Sequence, residues 1–382
     1  MVKTKMTQTA EAEVTPIKAL DKNETYYNFG AGPAMLPVDV MTRAKHEFTN
    51  WHGTGMSIME MSHRSEEFMV VADRAEQDLR DLLQVPDNYR VLFLQGGATS
   101  QFAMVPMNQL RGKNSADYIH TGLWSGKALK EAARFCKPNI VASAEASNFT
   151  TIPDPETWKF TKDAPYVYYT DNETIHGVEF HNVPDTGTVP LVSDMTSNLL
   201  SKPLDINRYG IIFAGAQKNV GPAGLVVVII RDDLVGHAEK NIPSMFDYAL
   251  HDKEKSMLNT PPTFSWYMAG LVFKWVKSQG GVREMQNRAK EKSRLLYDYI
   301  DSTDFYNNPV DPCCRSAMNI PFTLRDEKLN EKFLEESRTA GLLALSGHRS
   351  VGGMRASIYN AMPVEGVMAL VDFMQNFAQE NG

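Results

Sequence analysis

One lysine, Lys218, stands between two apolar runs, Ile211–Phe213 and Leu225–Ile230. Glycines flank it on both sides, with a proline after it, which indicates a tight turn between two buried strands. A buried ammonium group is costly unless it is paired or neutralised. Imine formation with an aldehyde cofactor would remove that cost and give the lysine a covalent role. The pattern therefore predicts Lys218 as a catalytic amine; the alternative is a solvated lysine on a surface hairpin.

A carboxylate, Asp194, ends another short apolar run that contains Leu191–Val192. At the end of a buried strand it is withdrawn from solvent and needs a cationic partner. A protonated pyridine nitrogen would serve, and the charge pair would keep the ring electron-withdrawing. The alternative is an Asx turn or a helix N-cap at a strand-to-helix junction. Together with Lys218, Asp194 favours a cofactor site.

The strand candidate Val91–Leu94 runs into a double glycine, and Ala98 and Thr99 then open a helix. Backbone amides at such a turn can bind a phosphate, assisted by the helix dipole. The turn lacks the Gly-Lys-Ser/Thr ending of a Walker loop. Further along, Trp124 follows another short strand, and its indole face could stack on a flat heteroaromatic ring. Core packing is the alternative for Trp124.

Arginine and histidine cluster in two places, His63-Arg64 and His348-Arg349, and Arg355 follows the second pair. Guanidinium forks bind carboxylate or phosphate in a bidentate manner. These groups suit a small substrate that carries both kinds of anion, and the alternative is solvated loop charge. A further pair, Asn259-Thr260, precedes two prolines in a rigid segment before a helix.

The elements that position these residues follow from the alternation of short apolar runs with helical patterns. The strand candidates are Val91–Leu94, Tyr166–Tyr169, Leu191–Val192, Ile211–Phe213 and Leu225–Ile230. Buried strands that alternate with helices predict an α/β fold with a mainly parallel sheet covered on both faces. The last two runs are close together in the chain, which allows one antiparallel strand.

The pattern changes after an apolar helix at about residues 263–278, which ends before Gly280-Gly281. Helices near 282–300 and 326–340 flank the strand candidate Met318–Phe322, and another candidate is Ser357–Tyr359. Apolar residues at helical spacing predict one more helix at the C-terminal end. We expect a second, α+β domain, with a ligand cleft between the two domains.

Composition narrows the class of protein. The formal net charge of -7 argues against unspecific nucleic-acid binding. Three cysteines, two of them adjacent, do not form a disulfide framework and favour a reducing cytoplasm. No apolar run approaches the roughly 20 residues that span a bilayer. The first 25 residues lack an apolar signal core and an Arg-rich amphipathic face, so we expect a loose N-terminal extension over 1–25. For the chain as a whole we expect no metal site.

Several longer segments make the chain resemble the fold-type I, class V pyridoxal-phosphate-dependent aminotransferases from about residue 27 onward. These segments are Asn-Phe-Gly-Ala-Gly-Pro-Ala-Met-Leu-Pro, Met-Ser-His-Arg-Ser, Gly-Ala-Gln-Lys-Asn-Val-Gly-Pro-Ala-Gly, Asn-Thr-Pro-Pro-Thr-Phe and Val-Gly-Gly-Met-Arg-Ala-Ser-Ile-Tyr-Asn-Ala-Met. The resemblance implies a large cofactor domain with a sheet of the seven-stranded type over 38–281. It implies a small domain formed by 26–37 and 282–382.

The resemblance also implies roles for individual residues. Lys218 would bond pyridoxal 5'-phosphate as an imine, Asp194 would meet its pyridine nitrogen, and Trp124 would stack on its ring. The other cofactor contacts would come from Thr174, from the amides of Ala98 and Thr99 with Gln217 at the phosphate, and from Asn259 and Thr260 of a neighbouring subunit. The substrate contacts would come from Arg355 at the α-carboxylate and from His348 and Arg349, with His63 and Arg64 of the partner, at the distal anion.

The activity implied is a ping-pong transfer of an amino group between L-glutamate and 3-phosphohydroxypyruvate in a cytoplasmic homodimer, for serine and in many bacteria also pyridoxine synthesis. Two positions depart from some relatives: Thr99 stands where they have Arg, and Ala31 where they have Ser. Competing hypotheses are a cysteine desulfurase using Cys313-Cys314, an alanine–glyoxylate type transaminase, and a non-catalytic nucleotide-binding module built on the glycine turn.

Overall fold

The computed structural model describes residues 26–382, and the predicted extension over 1–25 lies outside this range. The helices are α1 (Val38–Glu47), α2 (Glu66–Leu83), α3 (Gly97–Gln109), α4 (Leu123–Ala132), α5 (Tyr248–Lys253), α6 (Thr263–Ser278), α7 (Gly281–Asp301), α8 (Asn330–Thr339) and α9 (Val364–Asn381). The predicted stop between α6 and α7 is confirmed. Gly280 and Gly281 there have φ values of 101° and 76°, a conformation that glycine adopts without strain.

The strands form one large sheet and several small ones. They are β1 (Tyr27–Asn28), β2 (Tyr89–Leu94), β3 (Asp117–His120), β4 (Asn139–Ser143), β5 (Val167–Thr170), β6 (Asn172–Glu173), β7 (Val178–Glu179), β8 (Leu191–Asp194), β9 (Ile211–Gly215), β10 (Val226–Arg231), β11 (Tyr306–Asn307), β12 (Asn319–Leu324), β13 (Leu342–Leu343) and β14 (Met354–Ser357). The seven-stranded sheet has the order β2-β10-β9-β8-β5-β3-β4. Within it β10 is antiparallel to β2 and β9, while the other neighbours are parallel. The predicted α/β class and the antiparallel strand are confirmed.

Both faces of the large sheet are covered, as a mainly parallel sheet requires. One face packs against α1, α2 and α6, and the other against α3 and α4. The edge strand β4 escaped the sequence analysis. Its apolar run, Ile140–Ala142, is only three residues long, and within it only Val141 is buried.

The C-terminal part builds its own core around the antiparallel sheet β11-β12-β14, with α7, α8 and α9 packed on it. The chain near its described start joins this core, because β1 pairs with β13 and Phe29 is buried there. The predicted strand Ser357–Tyr359 is wrong: the strand runs from Met354 to Ser357, so it begins three residues earlier and ends two residues earlier than predicted. The carbonyl oxygens of Ile358 and Tyr359 accept hydrogen bonds from the buried amine of Lys292 rather than from a neighbouring strand.

The predicted domain boundaries, 38–281 against 26–37 with 282–382, remain a prediction, which the separate C-terminal core supports. Across residues 26–382, no helix combines the length and the apolar character needed to cross a membrane.

Candidate active site

The strands β5, β8 and β9 are parallel, so their carboxyl ends meet at one edge of the sheet. A cavity of about 310 Å³ opens there. Its lining includes all predicted cofactor residues except Asn259 and Thr260. The lining residues are Gly96, Gly97, Ala98, Thr99, Trp124, Thr170, Asn172, Thr174, Asp194, Thr196, Ser197, Gln217, Lys218 and Gly224.

Lys218 lies in the turn between β9 and β10, with its side chain inside the cavity. The side chain is buried, and its Nζ is hydrogen-bonded to Thr174 Oγ1. Burial lowers the pKa of Lys218 to about 7; the negative charge of Asp194 opposes that shift, and the positive charge of Arg355 adds to it. A substantial fraction of the amine is therefore neutral and nucleophilic near neutral pH.

Asp194 ends β8 inside the cavity and is 3% exposed. Its Oδ1 accepts a hydrogen bond from the backbone N–H of Thr196 at 2.9 Å. Burial raises the pKa of Asp194, and Thr196 and the charge of Lys218 oppose the shift. No arginine or lysine of residues 26–382 lies within salt-bridge distance of this carboxylate. A cationic ring nitrogen of a bound cofactor would provide the missing partner.

The glycine turn fits a phosphate group. Gly96 and Gly97 have φ values of 89° and 61°, and α3 begins without any side-chain cap. A Cβ atom on Gly96 would come within 2.7 Å of Ser100 Cβ, so the turn requires glycine. The free N–H groups of the first helical turn border the cavity at Ala98 and Thr99. They offer backbone amides and the positive end of a helix dipole to an anion.

Trp124 lies in the first turn of α4 and borders the cavity from another side. Its ring centroid is 5.8 Å from Lys218 Nζ and 4.2 Å from Lys127 Nζ. The indole Nε1 is buried and has no hydrogen-bond partner among the described residues. The residues of this cavity thus fit pyridoxal phosphate: an amine, a carboxylate, an aromatic ring and a phosphate cradle.

Asn259 and Thr260 are exposed and lie outside the cavity lining. Gln95 Nε2 of the same chain lies 3.0 Å from Asn259 Oδ1 and 3.3 Å from the carbonyl oxygen of Thr260. The pair therefore contacts the residue that directly precedes the glycine turn. Its predicted contact with a neighbouring subunit's cofactor stays a prediction.

Arg355 lies on β14, and its Nε is buried without a partner among residues 26–382. His348 and Arg349 lie in the loop before this strand, where Arg349 is exposed. Burial, then the charges of Arg355 and Arg349, lower the pKa of His348. His63 and Arg64 lie in the turn before α2; Arg64 is exposed, and His63 Nε2 is buried without a partner in the described chain. Among residues 26–382, no hydrogen bond joins His63 or Arg64 to His348, Arg349 or Arg355.

Sequence reasoning missed several residues of the cavity. Thr170 directly follows a predicted strand and pairs with Asp194 in register, while Thr196 and Ser197 follow Asp194 in the chain. Their position just after a strand is the signal that could have found them. Asn172 lies on the short strand β6, which has no apolar run to mark it.

Comparison with known proteins agrees with this geometry. The class-V aminotransferase family matches residues 26–370. The phosphoserine aminotransferase of Laribacter hongkongensis is 60% identical over 359 residues, covering 94% of this chain and all of the relative. The phosphoserine aminotransferase of Hahella chejuensis is 56% identical over 355 residues, covering 93% of this chain and 98% of the relative.

Solved structures agree as well. A phosphoserine aminotransferase from Bacillus circulans subsp. alkalophilus superposes with a TM-score of 0.92 at 48% identity, covering 94% of this chain and 99% of the other. A pyridoxal-phosphate-bound phosphoserine aminotransferase from Trichomonas vaginalis superposes with a TM-score of 0.88 at 43% identity, covering 92% of this chain and 100% of the other. The chain therefore belongs to the class-V aminotransferase family.

Proposed function

We propose that the chain is a pyridoxal-phosphate-dependent transaminase that converts L-glutamate and 3-phosphohydroxypyruvate into 2-oxoglutarate and O-phospho-L-serine, reversibly. The observation that carries the chemistry is the buried amine of Lys218, which shares one cavity with the unpaired carboxylate of Asp194. The choice of substrates rests on the names of relatives that are 55–60% identical over most of the chain.

Residues of the cavity would hold the cofactor from three directions. Lys218 would bond it covalently, Asp194 would pair with its pyridine nitrogen and Trp124 would stack on its ring. Thr174 would contact it, and the amides of Ala98 and Thr99, with Gln217, would bind its phosphate. When bound, pyridoxal phosphate supplies an electron sink for the bonds at the substrate Cα. The negative charge of Asp194 sustains that property by keeping the nitrogen protonated.

The protein's own residues then handle protons and orientation. Once the amino group of the substrate has taken its place, the freed amine of Lys218 would remove the proton from the substrate Cα and return it on the other side of the transferred nitrogen, acting as general base and then general acid. A pKa of about 7 suits both roles near neutral pH. Glutamate and the phosphorylated keto acid use the site in turn, which gives ping-pong kinetics.

Positively charged groups orient the substrate. Arg355 would bind the α-carboxylate that both substrates share. His348 and Arg349 would receive the distal carboxylate or phosphate, joined by His63 and Arg64 of a second subunit. Besides burial, the positive charges of Arg355, Arg349 and Lys127 lower the pKa of His348, so this side of the site attracts anions.

The active unit we propose is a homodimer with shared sites. Six large apolar side chains are exposed in the stretch of the sequence that contains His63 and Arg64: Val38, Met41, Phe48, Met56, Met59 and Val70. We propose that they form one surface, since large exposed apolar patches mark interaction sites. A second copy packed there would cover this surface and bring the partner's basic pair near the cavity.

Further parts of the proposal concern cellular context. We propose a cytoplasmic location, because Cys136, Cys313 and Cys314 are all free thiols. We propose a role in serine synthesis, because the product of the proposed reaction is O-phospho-L-serine. A contribution to pyridoxine synthesis would use the same chemistry on a related phosphorylated keto acid.

The deciding experiment is a coupled assay of the purified enzyme with glutamate and three amino acceptors: phosphohydroxypyruvate, hydroxypyruvate and glyoxylate. We expect kcat/KM for phosphohydroxypyruvate to exceed the other two by about 100-fold, the factor that one or two charge-assisted hydrogen bonds supply. Equal or better use of glyoxylate would assign the chain to an alanine–glyoxylate type reaction instead.

A further inference from the structure

Glu173, on β6, is a carboxylate with no exposure to solvent. Its Oε2 accepts a hydrogen bond from the backbone N–H of Trp124 at 2.9 Å. Its Oε1 accepts two more from Ser125, from the backbone N–H at 2.8 Å and from the hydroxyl at 2.7 Å. Both residues belong to the first turn of α4, so a residue 48 positions away in the chain caps this helix.

The helix lacks a cap of its own. Its N-cap residue is Gly122, which has no side chain to bind the free N–H groups. A Cβ atom at Gly122 would lie 2.4 Å from Glu173 Cδ, so a larger residue would displace the carboxylate. The negative charge also lies at the positive end of the helix dipole, where it is stabilising. Position 122 therefore needs glycine because Glu173 performs the capping.

Glu173 has no basic partner that would explain its burial. No lysine or arginine of the described chain lies within salt-bridge distance of it. Burial and the nearby charge of Asp194 raise its pKa, and the hydrogen bonds from Ser125 and Trp124 oppose the shift. A buried carboxylate whose compensating bonds come mainly from one helical turn is a strong constraint on the position of that turn.

That turn carries Trp124, and the residue after Glu173 is Thr174, which is hydrogen-bonded to Lys218. We propose that Glu173 is a positioning residue of the active site, which holds the Trp124 indole at the cavity by capping α4 from outside the helix. The significance of that position for the cofactor rests on the proposed function, in which the indole stacks on the pyridine ring.

The test compares Glu173→Gln with Glu179→Gln. Glu179 is an equally buried carboxylate on the paired strand of the same hairpin, but it bonds Lys202 and the N–H of Ala317 and does not line the cavity. Cofactor-free protein is titrated with pyridoxal phosphate by absorbance. We expect an approximately tenfold weaker affinity for E173Q, on the order of one lost charge-assisted bond, and a change below twofold for E179Q. Equal affinities for E173Q and wild type would overturn the proposal.

A second measurement reports on Trp124 itself. We expect E173Q to change the near-ultraviolet circular dichroism of the cofactor-free protein, and we expect that change to vanish in a Trp124→Phe background. A change that persists without Trp124 would show a general structural role and overturn the proposal. If E173Q does not fold, Ser125→Ala removes one of the same bonds from the helix side, the one that the hydroxyl donates, and must weaken cofactor affinity.

These readouts need no substrate. Failure of the phosphohydroxypyruvate assay would therefore leave the positioning role intact. Wild-type cofactor affinity in E173Q, or in S125A where E173Q does not fold, would refute it even in an active transaminase.

Discussion

The amine of Lys218 is hydrogen-bonded to the hydroxyl of Thr174 inside the cavity. The two residues lie on different elements: Lys218 in the turn between β9 and β10, and Thr174 in the hairpin between β6 and β7. The hydroxyl gives the buried amine a partner, but it carries no charge that would keep the amine protonated. Burial accordingly dominates and lowers the pKa of Lys218 to about 7 from its ordinary 10.5.

Imine formation with added pyridoxal phosphate should follow this lowered pKa. The neutral amine is the nucleophile, so we expect the initial rate for cofactor-free protein to rise with pH through about 7 and to level off well below pH 10.5. Stopped-flow absorbance measures the profile. Asp194→Asn removes a charge that favours the ammonium form, so its midpoint should move to lower pH. A wild-type midpoint near 10 would contradict the burial of the amine.

The variant Lys218→Ala lacks the amine. We expect it to form no imine and to lose about 10³-fold or more in turnover.

Arg355 and Arg349 should affect substrate binding differently. Arg355→Ala should raise the KM of glutamate and of phosphohydroxypyruvate by about 10–100-fold each, since both carry an α-carboxylate. Arg349→Ala should raise the KM of phosphohydroxypyruvate more than that of glutamate, because the distal phosphate carries more negative charge than the distal carboxylate. Steady-state kinetics with each substrate varied measures both effects, and Arg338→Ala on the exposed face of α8 is the control for loss of one surface charge. An unchanged KM for phosphohydroxypyruvate in Arg349→Ala, with glutamate use intact, would refute this substrate assignment.

The adjacent cysteines should be dispensable for turnover. Cys314 is buried, Cys313 is exposed, and neither lines the cavity of Lys218. We expect the double variant Cys313→Ser, Cys314→Ser to retain transaminase activity within about twofold, because neither thiol is near the reacting atoms. Loss of turnover, together with sulfur release from cysteine by the wild type, would support a desulfurase.

Shared active sites predict complementation between two inactive variants. Lys218→Ala lacks the amine, and the double variant Asn259→Ala, Thr260→Ala lacks the predicted phosphate contacts to its neighbour. A mixed dimer has one site with both sets intact, so random mixing should restore about a quarter of the wild-type sites. Each variant mixed with itself is the control. Activity that stays at the level of the unmixed variants would mean that the sites are not shared.

Lys292 should make folding stability depend on pH in the alkaline range. It is buried and donates to the carbonyl oxygens of Ile358, Tyr359 and Met362 at 2.7–2.9 Å. Burial lowers its pKa to about 7 from 10.5. Between these values the unfolded chain binds one more proton than the folded chain, so stability rises with pH across that window.

Lys292→Met removes both the bonds and the titration. We expect it to lower the free energy of unfolding by about 3 kcal/mol, from three carbonyl groups left unpaired, and to lower it more at pH 9 than at pH 6.5. Urea unfolding at the two pH values measures this, with Lys290→Met on the exposed face of α7 as control. An equal deficit at both pH values would show that Lys292 does not titrate in this range.

The sequence by itself was sufficient for features that are local in the chain. The strands β2, β8, β9 and β10 each contain a run of consecutive apolar residues. The glycines around Lys218 and after Val91–Leu94 mark turns through backbone conformation alone. Asp194 was recognised because it ends an apolar run. Each of these signals resides within about ten neighbouring residues, where hydrophobic pattern and turn chemistry act directly.

Only the tertiary structure showed how distant residues meet. Glu173 follows no apolar run, and its role depends on a helix 48 positions away that lacks its own cap. The lowered pKa of Lys218 likewise depends on burial by segments far apart in the chain. Sequence patterns report propensity and burial of single elements, whereas capping between elements and desolvation arise from the packing of the whole chain, which no local pattern contains.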